Sequence, residues 1–355
     1  TSGMGDVVFA PLYEALRRRG VRFEFFHRLT NVAVRDDRFG AHVTALEFDV
    51  QAATVDGREY EPLVHVRDLP CWPALPRYEQ LLDGERHRAA GRTFEAVDDH
   101  ERTAAKTLRV QRDFDFVVLG LGLGSIPSVC AEILARDPRW REMVARCKTV
   151  ATQAAQLWMR EDMTALGWSG SPTNLSGYVR PFATWADMRQ LIREESLDPA
   201  PRALAYLCCV LPERERSDAA QAHQEVRANA IRFLERDVHV LWPGAIERGQ
   251  FRWSLLCDDR DGTAAAVDGE RRIDSQYWIA NVEGSARYSQ SVPGSIAYRI
   301  SPLDRTYDNL TVAGDWTATG LDSGCVESAV MSGLLAAHAI AGSPALEEII
   351  GYDHP

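Results

Sequence analysis

Lysine is nearly missing from this 355-residue chain: Lys106 and Lys148 are the only two among 40 basic residues. That leaves few candidates for amine-based covalent chemistry. No apolar run approaches the roughly 20 residues that a membrane-crossing helix requires. No charged start followed by an apolar centre marks a signal peptide. Cysteine is sparse and poorly arranged for pairing. The seven (Cys71, Cys130, Cys147, Cys208, Cys209, Cys257 and Cys325) are odd in number, include two neighbours and contain no C-x-x-C. This argues against a disulfide framework or a thiolate metal cluster and for a reducing, cytoplasmic setting. The nine histidines form no H-E-x-x-H, so no metal is expected. A G-x-S-x-G elbow is absent too, because Gly167-Trp168-Ser169-Gly170-Ser171 lacks the final glycine. The net charge of −11 counts against nucleic acid, which needs a basic face, and against anionic membranes.

What is present is an ordinary globular composition, 45% hydrophobic and 26% charged. At about 100–200 residues per domain it suggests two domains. Val8, Leu12 and Leu16 recur at helical spacing, Arg17-Arg18-Arg19 crowd the last turn and Gly20 supplies a stop. Strands are expected at 21–26, 32–34 and 42–48, and an irregular stretch with Trp72 at 68–80. The run FDFVVL at 114–119 reads as a buried parallel strand. It precedes Gly120, Gly122 and Gly124 and an apolar segment at 126–134. Strands at 204–211 and 251–256 flank a long helix from about 217 to 235. The carboxyl end returns to strand (310–313), turn and helix (324–341), with Gly342 as its stop.

Two strand–glycine–helix junctions stand out. A dinucleotide fingerprint needs glycines at its first, third and sixth positions so that backbone can approach a pyrophosphate at a helix start. In VVLGLGLGS the sixth position is Ser125 counted from Gly120, or Pro127 counted from Gly122, so a tight turn is the better reading. The second junction runs NLTVAGDWTATGLDSGCVESAVMSGLL. Gly314 lets a ligand lie against the backbone, and Asp315 can accept from sugar-like hydroxyls. Gly324-Cys325-Val326 opens a helix whose free N–H groups suit an electron-rich ligand. Val326, Val330, Leu334 and Ala337 are expected to bury one face, with Gly333 permitting close packing.

The segment AGDW…GCVESAVMSG resembles the carboxyl-terminal flavin-binding motif of the FAD-dependent amine oxidase and phytoene (carotenoid) desaturase superfamily. The opening SGMG, then RLTNVAV, FDFVVLG and RPFATWADMRQLI, resemble other parts of that family in the same order. The resemblance implies an α/β fold: a discontinuous Rossmann-like FAD-binding domain from residues 1–55, 104–145 and 300–345, incomplete in this chain. A mixed α+β substrate domain would occupy 146–299, with 56–103 as an insertion. It implies FAD as cofactor. Gly314 and Asp315 would face its pyrophosphate and ribityl part. The Val326 N–H, beside Gly324 and Cys325, would donate to the pyrimidine carbonyl. Trp316 would flank the isoalloxazine or sit in the core, Val32 would offer backbone to the adenine, and Gly3, Met4 and Gly5 would lie near the flavin.

The family's opening strand, G-x-G-x-x-G and helix have no counterpart here, and Thr1-Ser2-Gly3 is neither an initiator methionine nor a leader. The expectation is therefore a downstream piece whose missing half is another subunit, a fragment from proteolytic maturation or a stretch absent from this chain, with a second polypeptide that carries the fingerprint as the favoured reading. Cys325 stands where amine oxidases place an aromatic residue, which is closer to the desaturases. Its thiol is either reactive at the helix start or a small packing residue. The function implied is an oxidoreductase subunit that passes hydride from a small organic substrate to flavin N5, with no acid or base assignable. An amine or amino-acid oxidase and a non-catalytic partner-binding subunit are the alternatives. Tyr298 and Arg299 could meet substrate or, for the arginine, form an interdomain ion pair. Trp185 and Asp187 could line the substrate half or serve as core and cap.

Overall fold

Residues 3–353, except 39, 98, 196 and 214–218, are described in a computed structural model. The mixed α/β chain begins with a π-helical turn, Gly5–Phe9, and helix α1 (Ala10–Arg18). The helix forms where the spacing placed it, with Ala10 and Tyr13 buried and Val8 and Leu12 exposed. Residues 21–26 do not form a strand. Phe26 adopts a left-handed φ of 59°, which interrupts extended backbone. Its ring packs instead 4.8 Å from Tyr60 and 4.9 Å from Phe94, centroid to centroid.

Strands β1 (His27–Asp37) and β2 (Gly40–Val50) form an antiparallel hairpin, with Val32 opposite Leu46 and Val34 opposite Val43. Strand β3 (Ala104–Arg109) pairs with the other edge of β2. After β4 (Val117–Leu119) the expected single helix is broken into Ile126–Val129 and α2 (Ala131–Arg136). Pro138 then starts α3 (Pro138–Arg146), capped by Asp137 accepting from the Arg139 N–H at 2.8 Å. The chain continues through β5 (Lys148–Val150), β6 (Thr152–Met159), β7 (Asn174–Leu175), β8 (Thr184–Asp187) and β9 (Ala203–Val210). Helix α4 (Ala219–Arg236), β10 (Tyr277–Asn281), β11 (Tyr288–Gln290), β12 (Leu310–Val312) and α5 (Val326–Ala341) complete it. Residue 217, where the long helix was expected to start, lies outside the described residues.

Two compact units result. The first comprises described residues 3–14, 65–71 and 151–282. Its sheet is antiparallel in the order β10-β6-β9-β8-β7, with α4 packed on it. Trp185, Trp242 and Phe233 are fully buried between them, so Trp185 is core. The Asp187 carboxylate is also buried, pairs with Arg189 and accepts its backbone N–H at 3.2 Å, as a cap. The strand expected at 251–256 is only a hairpin arm, Gln250–Phe251, followed by a 3-10 turn at Trp253–Leu255.

The second unit, residues 15–64, 72–150 and 283–353 of the described chain, contains the β1-β2-β3 sheet, the parallel pair β4-β12 and the antiparallel pair β5-β11. One side chain joins sheet to parallel pair. Asn309 donates from Nδ2 to the Val43 carbonyl (2.9 Å) and accepts the Val43 N–H (2.8 Å), while its own carbonyl accepts from Val117 (2.9 Å). On the other side of β1, Glu132 accepts from Asn31 at 3.0 Å and from the Val34 N–H at 3.1 Å. No helix among the described residues is long and apolar enough to cross a membrane.

Asp49, buried on β2, takes hydrogen bonds from Arg28 (2.8 Å) and Arg102 (2.7 Å). These bonds hold its carboxyl below the usual range, against the opposing effect of burial. Such a group stabilises the fold above its unfolded pKa of about 3.9, and that contribution is lost as pH falls through the lower folded value. Asp49→Asn is therefore expected to lower unfolding stability by about 1.5–3 kcal/mol at pH 7. In urea titrations the gap to the parent chain should close as the pH is taken well below 4. A gap that is constant with pH would contradict the assignment.

Candidate cofactor site

The corner between β12 and α5 is built by hydroxyl groups. Gly314, at φ 154°, leaves no room for a side chain: a Cβ there would sit 2.8 Å from the Trp316 Nε1. Its N–H donates to Ser332 Oγ (3.0 Å), and its carbonyl accepts from Thr317 Oγ1 (2.9 Å). Thr317 and Ser332 are hydrogen-bonded at 2.7 Å, and Thr319 and Ser328 at 2.9 Å. Ser328 and Ser332 lie one turn apart on α5 with no exposed surface. This reverses the face expected to be buried. Val326, Val330 and Leu334 are 56%, 57% and 39% exposed, and Met331 and Leu335 go inward beside the serines. Pairing the hydroxyls decides the rotation of the helix, because a buried unpaired hydroxyl costs about 1–3 kcal/mol.

Asp315 is half-buried, with Oδ1 accepting from Ser289 Oγ on β11 at 2.9 Å. A Cβ on Gly324 would lie 2.4 Å from the Ser289 carbonyl oxygen and 3.5 Å from Asp315 Oδ2. Only glycine lets the chain pass this close. Cys325, half-exposed and extended at φ −149°, is the N-cap of α5 and supplies no capping hydrogen bond. The first turn of the helix thus presents backbone N–H groups and a partial positive charge next to the Asp315 carboxylate. The fold brings Gly314, Asp315, Gly324, Cys325 and Val326 to this one corner.

Other expected site residues are placed elsewhere. Val32 has no exposed surface. It lies within β1, paired opposite Leu46 of β2. Trp316 is likewise wholly buried and donates from Nε1 to the Leu121 carbonyl at 2.7 Å. It is a core residue, not a wall for a ring system. Gly3 and Met4 are exposed and belong to the first unit. In the glycine loop after β4, a Cβ on Gly124 would fall 2.3 Å from the Gly284 carbonyl oxygen, so that glycine serves a loop–loop contact. Tyr298 lies under the Arg146 guanidinium, 5.4 Å from ring centroid to Cζ. Burial pushes the Cys130 thiol up to about 12, leaving it unreactive. Among the described residues no cluster of His, Cys, Asp and Glu could hold a metal.

The polar residues behind the corner were not foreseen. Their one sequence signal is Thr317 and Thr319 after the turn, matched by Ser328 and Ser332 at helical spacing. Gly324→Ala is expected to destabilise the second unit by about 1–3 kcal/mol, since backbone must shift to admit the methyl. Gly333→Ala, on the outer face with open space around it, should instead stabilise by about 0.5–1 kcal/mol. Urea midpoints measure both, and equal midpoints for the two variants would show that the corner is loose.

Residues 251–341 match the family model of the flavin containing amine oxidoreductases. No curated protein matches the chain. Among solved structures, an oxidoreductase from Methanosarcina mazei is similar at 11% identity and a TM-score of 0.44, over 90% of this chain and 51% of that one. The chain thus spans about half the length of that protein. Residues 251–341, which contain the AGDW and GCVESAV motifs, are thus similar to the flavin containing amine oxidoreductases.

Proposed function

We propose that this chain is one part of an FAD-dependent oxidoreductase of dehydrogenase or desaturase type. In this reading it takes hydride from a small organic substrate in the cytoplasm and works with a second polypeptide that carries the G-x-G-x-x-G segment. The observation that carries the reading is the uncapped start of α5 beside Asp315 and Gly324, inside the segment matched to the flavin family. When bound, FAD supplies the redox chemistry.

The chain's residues fit half of a site for it. Gly314 and Gly324 keep the surface free of side chains, and the Asp315 carboxylate accepts from hydroxyls. The Val326 N–H and the dipole of α5 favour an electron-rich carbonyl edge, an interaction that strengthens as negative charge develops there. Cys325, half-exposed at the N-cap, is small enough to leave the approach open.

Two features support the second polypeptide. In the β4-β12 pair, Val117 donates to Asn309, and the Leu119 carbonyl accepts from Ala313. The intervening Val118 turns to the opposite edge, which carries no strand among the described residues, and is 48% exposed. Parallel sheets ordinarily have both faces covered and more strands than two. Helix α5 adds an outward stripe of Val326, Val330, Leu334 and Ile340, all exposed. A strand followed by a helix has the form to cover both features.

Copurification with the product of the neighbouring gene tests the proposal. A yellow complex with a flavin spectrum is expected. Val330→Arg should leave the melting temperature of the free chain within about 2 °C, as exposed substitutions do, yet abolish copurification. A complex that stays colourless after FAD is added would instead favour a non-catalytic subunit. Peroxide released on addition of amines or amino acids would move the reading to the oxidase.

A further inference from the structure

We infer that Arg299 is a positioning residue that locks the two halves of the cofactor corner together from behind; the inference rests on the flavin reading above. Arg299 is only 8% exposed, yet no carboxylate among the described residues forms an ion pair with it. It therefore makes no interdomain ion pair among the described residues. Its Nη1 donates to the carbonyls of Asp315 (2.7 Å) and Thr317 (3.2 Å), and its Nη2 to Ser291 Oγ (3.0 Å). Ser291 in turn donates to the Asp322 carbonyl at 2.6 Å. One guanidinium thus ties the turn after β12 to the loop that delivers Gly324 and the start of α5.

The chemistry of the group explains the choice. Burying a cation without a counter-ion is costly, so the position is unfavourable unless the fork of donors is needed. Lysine, a point charge, cannot span two carbonyls and a hydroxyl in fixed planar geometry. The Nε of Arg299 has no hydrogen-bond acceptor, and the nearby Asp315 carboxylate is engaged by Ser289 instead. A cation behind the turn favours a ligand that carries or gains negative charge.

The test is Arg299→Met and Arg299→Lys in the full chain, read by hydrogen–deuterium exchange without FAD and by flavin binding in the copurified complex. In Arg299→Met, peptides covering 287–292 and 314–325 should exchange about tenfold faster or more, as expected for loss of charge-assisted hydrogen bonds. Peptides covering β1–β2 and β9 should be unchanged. The variant complex should bind FAD at least about tenfold more weakly, and its flavin potential should fall. Arg299→Lys should keep the potential but recover only part of the exchange protection. Unchanged exchange in both corner segments, or uniform acceleration across the second unit, would overturn the inference. If the parent complex takes up no FAD, the flavin reading fails, while the exchange measurement still decides whether Arg299 clamps the corner.

Discussion

The pairing of hydroxyls between Thr317 and Ser332, and between Thr319 and Ser328, is the constraint on which the corner depends. Each bond contributes only about 0.5–1.5 kcal/mol net. Their force lies in what breaking them would leave: polar groups sealed from water. The helix can be rotated in one way only if all four hydroxyls are to be satisfied. That rotation sends serine inward and valine outward, and it aims the first N–H groups of α5 past Asp315. The same pairing holds Gly314 through both its N–H and its carbonyl. The shape of the corner thus emerges as a by-product of satisfying buried polarity.

Much of the scaffold could be read directly from residue pattern. Strands β2 and β12, and α5 with its glycine stop, are local structures: alternation, a short apolar run and a left-handed Gly342 at φ 67° declare them. The failures share one cause, contacts made far along the chain. Residues 21–26 look like a strand, but Phe26 turns to reach Tyr60 and Phe94.

The candidate site divides in the same way. Gly314, Asp315, Gly324, Cys325 and Val326 are close in sequence, and their spacing sufficed to group them. Between the two readings of Trp316, ring wall or core, the sequence could not choose, because its burial is set by a loop nearly two hundred residues away. Arg299 was illegible for the opposite reason. Its partners are the Ser291 hydroxyl and the main-chain carbonyls of 315 and 317, which no residue pattern marks, and only the folded chain shows that one guanidinium reaches all three. Gly124 and Gly284 show how glycine can mislead: a glycine-rich loop after a strand suggests a phosphate, while here it answers a backbone passing within van der Waals range.

The apolar outer stripe of α5 also bears on how the molecule must be supplied. A surface that leaves Val326, Val330, Leu334 and Ile340 bare to water favours self-association and quality-control capture. Copies made in excess of whatever covers them would be cleared or would precipitate. In the two-polypeptide reading proposed above, balanced output of the two, rather than catalytic rate, would then set how much working protein a cell holds.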